Sequence, residues 1–535
     1  MESFGALNWT ILTVYILGNL ALGFIIGRKI DSDQDFYLGR RNTPWWAIGI
    51  SVMATYVSAL SFLGAPAWAY ESGLSVMAIH VNYPLVIVLV ITFFMPFFYK
   101  ANVASIYEYQ EKRFGIKARA VISAIFLIQQ ALTSAAVLYA TALVLEFITG
   151  VDVITAILIV SLIALIYTAL GGITAVIWTD VIQAGILFLG AIIICVALIQ
   201  EMPMPLNETL AQLKTAGKLN PFDISADFKK EATIWSGVFA MTLYHVTVYG
   251  ANQMMVQRCL AAKNIGDAKK SLLMMGFGAF FIYFFFLLIG VLFFSYYGGR
   301  PFENTNTIIL EFAANYGLPG LMGIIAAAVM AASMSSLDSA FNSMATIATV
   351  DFYQRHFKPD RSARHYLKVT RIFTVIWAAV IIVPAILYSY SEGSILQILT
   401  KVGSYFVGAK LSMYALGFFS KHTTERGLLI GVAAGFVVVW LVAAQTDIAW
   451  PWFCAIGAVV NIAVSLVSSL VLDGRQSAYS PYSIKGQLAL NRQDGILATQ
   501  DGWQTVPGRL DRASYWLLGF FMLTIVFLFS FPYLV

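Results

Sequence analysis

Charged residues are scarce in this chain. Only 11% of its 535 residues are Asp, Glu, Lys or Arg, against about 25% in soluble domains. Cysteine is scarcer still. Cys195, Cys259 and Cys454 are scattered, with neither a metal-binding spacing nor a disulfide framework. No Walker motif, HExxH or GxSxG occurs, so an ATP-driven pump or a hydrolase lacks its parts. Strand-period alternation is missing, which excludes a membrane β-barrel. What remains is apolar: 59% of residues are hydrophobic and the mean hydropathy is +0.77. That composition defines an integral membrane protein of helices, one unit over residues 1–535 rather than a string of soluble domains. The net charge of +5 sits in short loops between apolar runs. A bilayer accounts for it, and nucleic acid is not implied.

A spanning helix takes about 20 apolar residues. Such runs lie at 8–28, 45–70, 76–98, 118–148, 152–172, 174–200, 234–256, 272–296, 318–350, 366–390, 395–419, 425–445, 450–472 and 515–533, which predicts about fourteen transmembrane helices. Lys and Arg concentrate after odd-numbered runs: Arg28, Lys29, Arg40 and Arg41; Lys112, Arg113 and Arg119; Arg258, Lys263 and Lys269; Arg355, Lys358 and Arg361. Cytoplasmic loops carry the positive excess, so both termini are expected outside. Glu2 precedes the first run and Arg28 and Lys29 follow it, the reverse of a signal peptide. The long loop 200–232 balances its lysines with acids and should form an external cap with a short helix. Residues 474–512 form the long cytoplasmic loop, too small for a catalytic domain.

The stretch AASMSSLDSAFNS, 331–343, is polar for a membrane helix. At about 100° per residue, Ser335, Ser336, Asp338, Ser339, Asn342 and Ser343 share one arc, while Met334, Leu337, Phe341 and Met344 take the other. The polar stripe should face protein or water and the apolar stripe lipid or core. Small residues alone would serve close helix packing. Asp338 adds a carboxylate, which costs at least about 2.5 kcal/mol in mid-membrane and marks an ion or substrate path. Hydroxyls, a carboxylate and backbone carbonyls are hard oxygen ligands suited to an alkali cation. In YTALGGITAVIWTDVIQ, Asp180 is a second intramembrane acid, or an interfacial one favoured by its helix dipole. Gly171 and Gly172 form the turn before it.

Two runs look broken. Run 2 places Thr55, Ser58, Ser61, Gly64 and Pro66 in what would otherwise be a clean helix. Run 7, MTLYHVTVYGANQMMVQ, carries His245, Thr247, Gly250 and Asn252. The two are five helices apart, the spacing of a five-plus-five inverted repeat whose halves each begin with a broken helix.

The stretches FYLGRRNTPWWAIGISVMATYVSALSFLGAPAWAYESG, YTALGGITAVIWTDVIQ, NQMMVQRCLAAKN and SSLDSAFNSMATIATVDFY resemble the sodium:solute symporter family over nearly the whole chain. ASIYEYQEKRF and AAVLYATAL are most similar to its monocarboxylate, multivitamin and iodide branch. The resemblance implies an all-α, leucine-transporter-like fold. Residues 8–28 would be an extra N-terminal helix, 45–200 the first repeat, 234–419 the second, and 425–535 extra C-terminal helices. It implies a common sodium site at Ala54, Val57, Ala332, Ser335 and Ser336, and a second at Asp180, Asp338 and Ser339. Family members often have a hydroxyl residue where Asp338 stands. The acid would strengthen that second site or share a proton with Asp180.

The same resemblance implies a central cavity faced by Ser58, Ser61, His80, Gln129 and His245. Each histidine could equally be a hydrogen-bonded core residue. Sugar-carrying relatives have a carboxylate in place of His80, an amide in place of His245, and a lysine in the next core helix. Here that helix, GAFFIYFFFLLIG, is uncharged. Two imidazoles, Gln129 and Lys410 suit a carboxylate-bearing solute better, although Lys410 could instead snorkel to an interface. The expectation is a sodium-coupled symporter of a small organic acid (monocarboxylate, vitamin or sialic-acid-like), working by alternating access. It should lie in a plasma membrane, in bacteria the inner one. A sodium/sugar symporter is the alternative, and a channel or sensor-type membrane module a more distant one.

Overall fold

The computed structural model describes residues 4–28, 30, 32–101, 103–390, 395–476, 478–493 and 498–535. The principal helices are α1 (Ala6–Gly27), α2 (Trp45–Tyr56), α3 (Ala59–Ser72), α4 (Tyr83–Leu89), α5 (Ile116–Thr149), α6 (Val153–Gln200), α7 (Met241–Gly250), α8 (Gln253–Leu260), α9 (Ile265–Tyr296), α10 (Leu321–Ile347), α11 (Ala363–Ser389), α12 (Ile395–Phe419), α13 (Glu425–Gln445), α14 (Pro451–Asp473) and α15 (Arg512–Leu534). Ten helices among the described residues are long and apolar enough to cross a membrane. The sole strands among them are a hairpin of Thr499–Gln500 and Trp503–Gln504 in the long loop before α15. The loop after α6 holds the expected short helix, Leu206–Thr215.

The helix α6 has 48 residues. Unbroken it would run about 72 Å, more than twice the roughly 30 Å hydrocarbon core. It is divided at Gly172, with φ 53° and ψ −161°. A Cβ there would lie 2.9 Å from the carbonyl oxygen of Phe36. Both the dihedral and the close approach therefore require glycine.

Both expected breaks are present. The helix α2 ends at Tyr56; Val57 (φ −82°, ψ 80°) makes a tight turn, Ser58 (φ −82°, ψ 178°) is extended, and α3 then begins. The helix α7 ends at Gly250, Asn252 is extended, and its side chain caps α8 by accepting from the N–H of Met254 at 2.9 Å.

The helix α10 sits at the centre, packed on α6, α5, α1 and α11. Every residue from Ile325 to Val350 is buried. Its apolar stripe therefore meets core and not lipid. Lipid-facing apolar side chains belong instead to helices such as α1, α11 and α15, for example Val14, Val383 and Leu523. Three residues read above as loop charges are corrected by the structure. Arg119, Arg258 and Lys269 are buried, each paired with an aspartate: Asp351, Asp180 and Asp511 respectively. Neighbouring acids supply what water would supply in a loop.

Candidate functional site

The break in α2 faces the middle of α10. A half-helix end leaves carbonyls without intrahelical partners, and the α10 hydroxyls meet them. Ser335 Oγ donates toward the carbonyls of Ala54 (3.0 Å) and Ala332 (2.9 Å). Ser336 Oγ lies 3.0 Å from the carbonyl oxygen of Thr55 and 3.5 Å from that of Ala332. Ala54, Ala332, Ser335 and Ser336 thus form one buried oxygen cluster, and Val57 lies at the break beside it. Among the described residues no group of three or more His, Cys, Asp or Glu could hold a metal ion. The cluster's neutral oxygens suit an alkali cation, carried as substrate.

One turn along α10, Asp180, Asp338 and Ser339 come together. Ser51 donates to Asp180 Oδ2 at 2.5 Å and Thr55 approaches it at 3.4 Å. Asp338 accepts from Ser339 Oγ at 3.0 Å and from Thr179 Oγ1 at 3.4 Å. Arg258 is the residue that sequence reasoning missed here. Its guanidinium reaches Asp180 Oδ2 at 3.3 Å, Ser51 Oγ at 2.7 Å, and also Ser339 Oγ and the carbonyl of Met254. The available signal was an arginine inside the apolar run MMVQRCL directly after a helix break. Asp180 Oδ1 is buried with no partner among the described residues, an acceptor suited to a cation.

A cavity of about 240 Å³ lies beside the break. Ser58, Ser61, His80, Gln129 and His245 all line it, with Tyr56, Tyr244, Tyr283 and Ser336. Among the described residues, no Lys, Arg, Asp or Glu is in its wall. The N-terminus of α3 starts at the wall residue Ser58 and favours negative charge. His80 stacks on Tyr283, ring centroids 3.7 Å apart.

His245 is fully engaged. Asn82 Nδ2 donates to the carbonyls of Ile79 (3.0 Å) and Gly237 (2.9 Å), which turns Asn82 Oδ1 toward His245 Nδ1 at 2.7 Å. The network therefore puts the proton on Nδ1 and makes Nε2 the acceptor for the Tyr56 hydroxyl, also at 2.7 Å. Gln129 Nε2 donates to the carbonyl of Gly403 at 3.3 Å, and its buried Oε1 has no partner among the described residues. Lys410 stands apart. It is buried in α12, not at an interface, and is not part of the cavity wall.

Paired helix breaks, an oxygen cluster at one break and a cavity beside it define an ion-coupled secondary transporter. The sequence model of the Sodium:solute symporter family matches residues 36–435. The chain belongs to that family, and it is a sodium-coupled transporter and not an enzyme. It is 31% identical to the sodium/sialic acid symporter NanT of Aliivibrio fischeri, over 88% of this chain and 94% of that one. Identity to the human sodium/iodide cotransporter is 28%, over 83% of this chain and 71% of that protein. A solved Na+-coupled sialic acid symporter, substrate-bound and outward-open, matches with a TM-score of 0.82 and 27% identity, over 89% of this chain and 100% of that one. Mhp1, a nucleobase-cation-symport-1 family transporter, shares the fold, with a TM-score of 0.55 and 13% identity.

Proposed function

We propose that this protein imports a small hydroxylated organic acid with two sodium ions by alternating access across a plasma membrane, in bacteria the inner one. The carrying observation is the contact of Ser335 and Ser336 with the carbonyls of the α2 break. A cation there ties the two elements together, so sodium favours one arrangement of α2 against α10. Ala54, Val57, Ala332, Ser335 and Ser336 hold the first sodium. Asp180, through its unpartnered Oδ1, holds the second with Asp338 and Ser339.

The solute's carboxylate lies at the α3 N-terminus with Ser58 and Ser61, and His80 faces the solute. Gln129 Oε1 accepts from a solute hydroxyl. That preference favours a hydroxylated acid over iodide, which has no donor. Helices 45–200 and 234–419 form the two repeats. With one further helix before them and three after, the chain crosses the bilayer fourteen times and both termini lie outside.

The test is uptake into proteoliposomes under an inward sodium gradient, with sialic acid, lactate and glucose offered separately. Accumulation of an acid above equilibrium supports the proposal. Simple equilibration would indicate a channel, and accumulation of glucose alone would indicate the sugar reading.

A further inference from the structure

Four lysine or arginine side chains are buried among the described residues: Arg119, Arg258, Lys269 and Lys410. The first three each have an aspartate within 3.3 Å. Lys410 is 1% exposed and, among the described residues, pairs with no carboxylate. A cation so placed in a membrane is expensive unless an anion visits it.

The helical position shows where that anion would come from. With Gly403 set at zero, Lys410 falls at about −20° and Tyr414 at about +20°. Gly403 accepts from Gln129 of the cavity wall. Tyr414 donates to the carbonyl of Ile106 and stacks on Tyr109 at 5.6 Å, beside the basic loop that follows α4. The opposite face of α12 packs on α14, where Gly408 meets Cys454 and Ser412 accepts from Asn461. Lys410 thus points inward, about 10 Å beyond Gly403 along α12. Helical side chains lean toward the N-terminus, which carries the ammonium back toward the cavity.

We propose that Lys410 is a second anion-binding station, between the central cavity and the cytoplasmic aromatic cluster, that takes the carboxylate of the solute as it leaves the cavity. This rests on the carboxylate reading above. The wall holds the acid with neutral donors and a helix end, and Lys410 offers an amine on the inward side that an arriving carboxylate would hold protonated. Release is then a transfer between two sites and not a single step out of one.

The experiment uses purified protein in proteoliposomes, with sialic acid and lactate as acid probes and glucose as the neutral one. In Lys410→Met, sodium-dependent equilibrium binding of the acid should stay within about twofold while turnover falls about tenfold, the split expected of a step after binding. Lys410→Arg should keep at least half the turnover. Unchanged acid turnover in a folded Lys410→Met protein would overturn the station and leave the carboxylate reading intact. Sodium-driven uptake of glucose with both acids inert in the unmutated protein would overturn both. Should Lys410→Met not fold, the unmutated protein decides. A membrane-permeant amine reagent followed by peptide mass spectrometry should label Lys410 less with sodium plus the transported acid than with sodium alone. Equal labelling overturns the proposal.

Discussion

Arg258 holds one oxygen of Asp180, at 3.3 Å, and leaves the other with no partner among the described residues. Removing the guanidinium leaves a buried carboxylate uncompensated, a loss of about 3–5 kcal/mol. Arg258→Met should therefore lower the thermal midpoint sharply. Arg258→Met combined with Asp180→Asn should recover much of that loss, and equal loss in single and double variants would rule out this coupling.

Sodium stoichiometry tests the second site. Asp338→Asn keeps the shape of the side chain and removes its charge. The Hill coefficient for sodium should drop from above one toward one, with a weaker response to an imposed membrane potential. A coefficient of one in the unmutated protein would remove the second ion from the mechanism.

Ser335→Ala and Ser336→Ala each delete one hydroxyl from α10 and retain its helicity, since alanine is the better helix former. Each should raise the sodium concentration for half-maximal uptake about five- to tenfold, the equivalent of roughly 1–1.4 kcal/mol per lost contact. Sodium titration of initial uptake rates reads this directly.

The two cavity histidines should behave differently. His80→Gln changes a side chain that lines the cavity, so on the proposed function it should weaken acid binding with little effect on thermal stability. His245→Gln breaks a chain from Asn82 to Tyr56. It should lower both stability and uptake, as should Asn82→Ala. Matching profiles for the two histidine variants would contradict the separation.

In the segment before α5, Glu111 joins Arg119 (2.7 Å) and Arg355. Partial burial raises its carboxyl pKa, but the hydrogen bonds from Arg355 and Arg119 outweigh that and hold it below the ordinary glutamate value. A depressed folded-state value stabilises above the unfolded value, and the contribution is lost as pH falls through the folded one. Thermal midpoints of the unmutated protein and Glu111→Gln should therefore differ at pH 7 and begin to converge once pH falls below the ordinary glutamate value of about 4.3. A constant difference down to pH 3 would show that the charge is not responsible.

Much of the site was legible because it is local in sequence. The serine arc of α10 follows from the helical repeat, and the break in α2 from Thr55, Ser58, Gly64 and Pro66 interrupting an apolar run. Gly172 was legible as a turn, although Phe36, the reason only glycine fits there, lies far away in the chain. Arg258 was not legible. Its counter-charge, Asp180, is 78 residues distant, and hydropathy places any arginine at the end of an apolar run in a loop. His245 was undecided for the same reason. Whether an imidazole is a ligand or a strut depends on Asn82, 163 residues away.

The Ser335 hydroxyl already joins Ala54 to Ala332. If sodium binds there as proposed, it must displace that hydrogen bond to share the same carbonyls. Its gain is therefore the difference between two sets of contacts and not the full worth of the new ones. Such an exchange keeps affinity moderate. A cavity lined with unsatisfied oxygens would grip the ion too firmly to let it go, whereas this one can resume its own hydrogen bond when the ion departs. On the proposed sodium site, the resting contact would act as a spring that helps unload the carrier.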